Sequence, residues 1–188
     1  TNCAIYDTRL SGIALEVVDG GLLDGVTISN ITMRNTGGPV FIRLGNRARP
    51  YQKDMEAPGV GALRNVSLST IVATGADATG CSITGLPGHP VENISLRDIR
   101  IAFAGGGTEE DAKCIPEELP EKYPEYRMFG TLPAYGFYIR HARDIRMDGV
   151  SLTTDTADAR PAIVQEDVEG LALTGIRDNS DMSPTTNP

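Results

Sequence analysis

Arg43, Thr84 and Arg140 occupy equivalent places in three related segments, VFIRL, CSITG and FYIRH. If those segments are neighbouring strands, two coils separate the arginines, roughly 10 Å at ordinary strand spacing. A guanidinium fork matches a carboxylate at two points, and two forks on one face suit a uronate or another acidic sugar. Tyr138, in the adjacent outward column, offers a ring face for a sugar, and His141 follows Arg140 directly. Arg47, Arg49, Tyr51 and Lys53 lie on the loop after the first of these segments, and His89 sits in the turn GLPGHP. Arg43, Arg140, Tyr138, His141, Arg47 and His89 are therefore the candidate substrate-binding residues. The competing expectation is that Arg43 and Arg140 bond backbone carbonyls or loop carboxylates, that His89 is a surface residue, and that Arg160, before Pro161, anchors a turn.

Acidic candidates are less ordered. Glu109, Glu110 and Asp111 form one run, and Glu117, Glu118, Glu121 and Glu125 follow. Such runs are ordinarily solvated faces. Glu16 faces the same side as Arg43 and is the one low-ranked catalytic candidate; its alternative is a cross-strand ion pair with Arg43. Inverting glycoside hydrolysis needs two carboxyl groups about 6.5–9.5 Å apart, and the spacing singles out no such pair. The three Cys have no metal-like spacing, and Cys81 falls at an apolar place as a small core residue. No metal or other cofactor is expected.

What must position these side chains is a nine-residue phrase repeated five times: GVTISNITM (25–33), NVSLSTIVA (65–73), NISLRDIRI (93–101), DIRMDGVSL (144–152) and GLALTGIRD (170–178). Its second, fourth and seventh places are always apolar. Alternation of period two indicates a strand, and the slip in phase between the fourth and seventh places indicates a bend. The residue before the seventh place is Asn30, Thr70, Asp98, Gly149 and Gly175. Four of these five tolerate the left-handed backbone that a tight corner needs. Strand, corner and strand, recurring at irregular gaps, predict an all-β right-handed parallel β-helix of about five coils. Asn30, Asn65 and Asn93 also head Asn-X-Ser/Thr triplets. Because they fall inside the repeat, they are read as corner residues rather than glycosylation sites.

A third strand follows each phrase. Alignment gives inward columns Ile13, Val40, Cys81, Phe137, Ala162 and Leu15, Ile42, Ile83, Ile139, Val164. The outward columns are Ala14, Phe41, Ser82, Tyr138, Ile163 and Glu16, Arg43, Thr84, Arg140, Gln165. Two segments, 46–62 and 104–134, are too long for turns and flank this sheet. Long loops on a rigid scaffold carry function, so they are expected to wall a groove over the sheet's outer face. Residues 1–178 read as one domain and 179–188 as a loose tail. The first coil begins midway without a cap. This reads as the C-terminal part of a longer β-helix, the alternative being a short protein that self-associates through its open N-terminal coil.

The net charge of -8 argues against nucleic acid and anionic membrane surfaces as partners, and no stretch is apolar and long enough to cross a membrane. The absence of Trp and the wealth of aliphatic residues suit stacked interior rows.

The stretch TRLSGIALEVVDGGLLDGVTISNITMRNTGGPVFI (8–42) resembles the polygalacturonase-like glycoside hydrolases, glycoside hydrolase family twenty-eight. There a coil reading G-I-R-I-K precedes a Gly-rich turn, a strand containing N-I-T-F, and P-I-x-I. The matching residues are Gly12 to Glu16, Asp19-Gly20-Gly21, Val26 to Met33 and Pro39 to Ile42. FIRLGNR (41–47), YGFYIRH (135–141) and RPAIV (160–164) resemble the bacterial polysaccharide-degrading branch. The resemblance implies a secreted or periplasmic hydrolase of an acidic, pectin-like polysaccharide. It also implies that the N-T-D, D-D and G-H-G catalytic motifs belong on coils before Thr1. The substrate-holding Arg and Lys of R-I-K are Ala14 and Glu16 in this sequence. The alternatives are a non-catalytic carbohydrate-binding or structural β-helix, and a polysaccharide lyase, which would require a bound cation and a basic residue.

Overall fold

A computed structural model describes residues 1–179; most of the expected tail, 180–188, lies outside the described residues. The strands are β1 (Cys3–Tyr6), β2 (Ile13–Val17), β3 (Leu22–Arg34), β4 (Val40–Leu44), β5 (Ala62–Ala76), β6 (Cys81–Thr84), β7 (Val91–Phe103), β8 (Phe137–Thr154), β9 (Ile163–Glu169) and β10 (Ala172–Thr174). Every strand pair is parallel. Two stacks share one curled sheet. One runs β1, β3, β5, β7, β8; the other runs β2, β4, β6, β8, so that β8 belongs to both. Both β9 and β10 pair with β8. This is the parallel β-solenoid anticipated from the repeats.

All five phrases stack in the expected register. Val26 pairs with Val66, Val66 with Ile94, and Ile94 with Ile145, while Leu173 pairs with Met147. The middle rows are fully buried. Val26 and Leu171, at the two ends of their row, are half-buried. Ala76 is the register partner of Phe103, whose ring meets Tyr135 edge-on at 6.3 Å between centroids.

The corners are more regular than the residue types imply. All five residues before the seventh place have positive φ, including Thr70 at 54°. A β-branched residue there carries a steric cost that Asn or Gly avoids. The first place of every phrase is also left-handed: Gly25, Asn65, Asn93, Asp144 and Gly170. The asparagines join coil to coil at these corners, Asn93 Nδ2 donating to Asn65 Oδ1 at 2.7 Å and Asn65 Nδ2 to Asp24 Oδ1. Thus the Asn of each triplet is a corner residue, as read from the repeat.

Two expectations need correction. The first is the register of β9. Phe137 pairs with Ile163, not Ala162, and Arg140 pairs with Glu166, not Gln165. The reason is the corner between the third strand and the next phrase. His141 (φ 49°) and Asp167 (φ 51°) are both left-handed, and stacking one on the other moves the ladder by one residue. That shift also seats Val168 beside Ala142 against the core.

The second correction concerns the groove. The long segment between β7 and β8 does not wall an open face but roofs it. Tyr126, Met128, Phe129 and Leu132 pack on Phe41 and Tyr138 to form a second, smaller core outside the sheet. All of β4 and β6 is consequently buried on both faces. Tyr126 donates to Asp77 Oδ2 at 2.6 Å, fixing the roof to the turn before β6. Its ring lies so close to Gly38 that a Cβ there would stand 2.9 Å from Tyr126 Cδ2, so the roof depends on the bare backbone of Gly37-Gly38.

Candidate functional site

The roof decides the fate of the arginine face. Arg43 is only 1 % exposed. Its Nη1 donates to Gly85 O at 3.1 Å and its Nη2 to Glu118 O at 2.8 Å, while its guanidinium lies 5.2 Å from the Phe129 ring centre. Burial pulls its pKa down to about 10, Glu118 opposing the shift and Arg140 adding to it. Arg140, 8 % exposed, donates to Pro116 O at 2.7 Å and pairs with Glu118 and Glu166. Tyr138, 1 % exposed, donates its hydroxyl to Glu166 at 2.8 Å; burial first, then that carboxylate, raises its pKa. His141 stands between two carboxylates, Nδ1 at 2.6 Å from Asp167 and Nε2 at 2.9 Å from Glu118. Of the two expectations for the arginines, this geometry is the one in which they bind carbonyls and loop carboxylates. The three residues do converge, but under a cover rather than on an open floor. Glu16 and Arg43 are register partners, yet no Glu16–Arg43 ion pair occurs among the described residues, because Arg43 turns to the roof.

The remaining candidates scatter. His89 lies on an exposed turn, its backbone exchanging hydrogen bonds with Leu86. Arg160 anchors three segments at once. It pairs with buried Asp158 and donates to Leu132 O and Ala78 O. A cleft of about 390 Å³ beside it is lined by Gly105–Gly107, Asp111, Arg127 and Thr131. Its polar groups are committed to protein partners: Gly107 N donates to Asp158, and Arg127 pairs with Asp77. Cys81 is buried in the core, and burial raises its thiol pKa.

Glu16 and Arg47 do share an open cleft. Glu16, Asp19, Gly20, Gly21, Arg47 and Tyr123 line a hollow of about 570 Å³ at the start of the solenoid. The Gly20-Gly21 turn, φ 75° and 91°, carries the chain from β2 into β3. Arg47 Nε donates to Asp19 Oδ1 at 3.0 Å, and its guanidinium lies 5.3 Å from the Tyr123 ring centre. The Tyr123 ring is 67 % exposed. The two carboxyls are pushed apart. Burial raises Glu16, with Arg47 opposing and Glu125 adding. Asp19 falls to about 2, chiefly through the Arg47 hydrogen bond, with the Arg49 amide assisting against a smaller desolvation effect. One carboxyl that holds its proton more readily and one that stays ionised, beside a cation and an open aromatic face, can grip a sugar hydroxyl, a carboxylate and a ring.

Asp19 and Tyr123 were not singled out by sequence as site residues, and Glu118 was named only as one member of an acidic run. A usable signal existed: one coil is 28 residues in several places. Asp19 and Arg47, Asn65 and Asn93, and Tyr138 and Glu166 are each 28 apart and bonded.

The Asp19–Arg47 pair makes an acid-stability prediction. The folded pKa of about 2 lies below the ordinary 3.8. The pair therefore stabilises the fold above about pH 4 and loses its contribution as pH falls from there towards 2. Melting temperature should decline less steeply over that window in Asp19→Asn than in the parent; equal slopes would show that the pair does not contribute.

Among the described residues no helix is long and apolar enough to cross a membrane. Comparison with family models, curated proteins and solved structures returned no match.

Proposed function

We propose that this chain is the substrate-holding C-terminal part of a polygalacturonase-like glycoside hydrolase, and that it takes an acidic, pectin-type polysaccharide in the Glu16–Arg47–Tyr123 cleft. The observation that carries this reading is the position of Arg47. In the resemblance a cation belongs at position 16, where this chain has Glu16; Arg47, on the next coil, brings a guanidinium into the same cleft and couples to Glu16. Tyr123 adds a solvent-facing ring of the kind that covers a sugar. In the resemblance the acid and base of hydrolysis lie on coils preceding the one matched by Gly12 to Glu16, and the part proposed for this cleft is to bind and position the polymer. The parent protein is then extracellular or periplasmic, where such polymers are met.

The roofed arginine face favours one second reading, a non-catalytic carbohydrate-binding β-helix, since that face offers no open floor for a polymer.

Titration calorimetry with trigalacturonate and a neutral trisaccharide separates these chemistries from no binding at all. Losing a charge-assisted contact costs about 1.5–3 kcal/mol, so Arg47→Ala should weaken trigalacturonate roughly tenfold or more. Tyr123→Ala should weaken trigalacturonate too, and the neutral trisaccharide should not bind the parent detectably. Unchanged affinity in both variants would remove this cleft as the site. Reducing-sugar release from polygalacturonate that is abolished by Glu16→Gln would instead make Glu16 catalytic.

A further inference from the structure

Beneath the roof lies a carboxylate site that the chain fills with its own side chain. We infer that Arg140 and His141, backed by Arg43, form a second acidic-sugar subsite, and that the 115–120 segment is a strap whose Glu118 carboxylate occupies it in place of a uronate.

Three observations point to a ligand rather than to a simple structural pair. First, donors exceed acceptors. Nε of Arg43, Nε of Arg140 and Oγ of Ser82 are buried without a hydrogen-bond partner among the described residues. Their residues share this outer face of the sheet. Second, Glu118 fits the site poorly. Its Oε1 meets both Arg140 Nη2 and His141 Nε2, while its Oε2 is buried with no partner among the described residues. The two-point arrangement natural to a guanidinium and a carboxylate is thus half made, with a free oxygen on one side and an unused Arg140 Nε on the other. An untethered carboxylate can turn to engage both positions; one held by the strap backbone does not. Third, the strap is shallow. It has no regular structure; Ile115 (81 % exposed), Glu117 and Pro120 face solvent, while Pro116 is buried with its carbonyl accepting from Arg140. Leu119 is the strap residue that packs on the roof of Tyr126, Met128, Phe129 and Leu132, so lifting the strap gives up that contact and leaves the rest of the roof in place.

Two further carboxylates border the site. Asp167 faces His141 Nδ1 at 2.6 Å, and Glu166 lies 3.4 Å from Arg140. When Glu118 leaves, these two carboxylates hold the side chains in place, while the strap-facing Arg140 Nη2 and His141 Nε2 become available. Arg43, which holds the strap carbonyls of Glu118 and Leu119, is released with them. That the incoming carboxylate belongs to a uronate rests on the acidic-sugar reading above; the existence of a carboxylate site does not.

The probe is galacturonate, with galactose as the neutral control, titrated against the whole chain and two variants. Glu118→Gln keeps the volume and removes the competing charge; Glu118→Ala removes the side chain. Both should bind galacturonate at least ~10-fold more tightly than the parent, because a tethered competitor is gone, with galactose unchanged. Adding Arg140→Ala should abolish the gain, while adding Arg47→Ala should leave it. Amide hydrogen exchange of residues 115–120 in the parent should rise as galacturonate is added. Equal galacturonate affinity in parent and both Glu118 variants overturns the inference, as does an equal gain for galactose. A gain for galacturonate with no trigalacturonate binding at the Arg47 cleft keeps this site and removes the proposed function; the reverse pattern does the opposite.

Discussion

Ile94→Asp is expected to leave the chain unfolded, or insoluble, at room temperature. Ile94 is fully buried between Val66 and Ile145 in the central row of the core. An aspartate there loses the packing of the isoleucine and must either bury an unpaired charge or hold a proton against its ordinary pKa. Substitutions of this kind exceed about 4–5 kcal/mol, most of a typical domain's stability of about 5–15 kcal/mol. A solenoid spreads the damage, since each coil is supported by its neighbours alone. Ile94→Val, which removes one methylene, should cost only about 0.5–1.5 kcal/mol. Circular dichroism melts of the two variants give the comparison. A cooperative transition for Ile94→Asp within about 1 kcal/mol of the parent would mean that the phrases do not stack as described; the scale for that margin is the ordinary effect of a point substitution.

Arg43→Ala should be the second most damaging change. Its guanidinium joins Gly85 O on the sheet to Glu118 O on the roof, and it lies against the Phe129 ring. Removal strands two carbonyls under cover, each worth about 1–3 kcal/mol when left unpaired, and leaves a void below Phe129. The loss should centre on the roof. Hydrogen exchange within 115–132 should accelerate far more than within β5 or β7. Arg43→Lys keeps the charge but not the fork, and should rescue only part of the loss. Uniform acceleration across the solenoid, or none, would show that Arg43 does not fasten the roof.

The coils could be read from sequence because their signal is local. Period-two alternation and a phase slip survive in every phrase, and the paired positions of Val26, Val66, Ile94 and Ile145 follow from them. The roof could not be read the same way. Tyr126, Met128, Phe129 and Leu132 have no period, and their partners lie far away in the chain. The outward column did carry a warning: Phe41 and Tyr138 are large, and an apolar strip on the outside of a sheet is usually covered. The β9 slip was hidden for a different reason. His141 and Asp167 take corner conformations that both types tolerate, but a lone His or Asp at the end of a strand-like run does not fix a corner's position as a repeated Asn or Gly does. The site divided accordingly. Glu16 and Arg47 could be named from their places on strand and loop, whereas Tyr123 joins them only after the long segment folds across the first coil.

The central claim is that an acidic polysaccharide is held in the cleft at the first coil. Backbone amide shifts of the isotopically labelled chain, followed during a trigalacturonate titration, test it most directly because they locate the ligand without a substitution. The expected shifts saturate together at Asp19, Gly20, Gly21, Arg47 and Tyr123, weaken as salt rises because exposed charges are screened, and fail to appear with a neutral trisaccharide. Shifts confined to other coils, or an identical pattern with the neutral sugar, would contradict it.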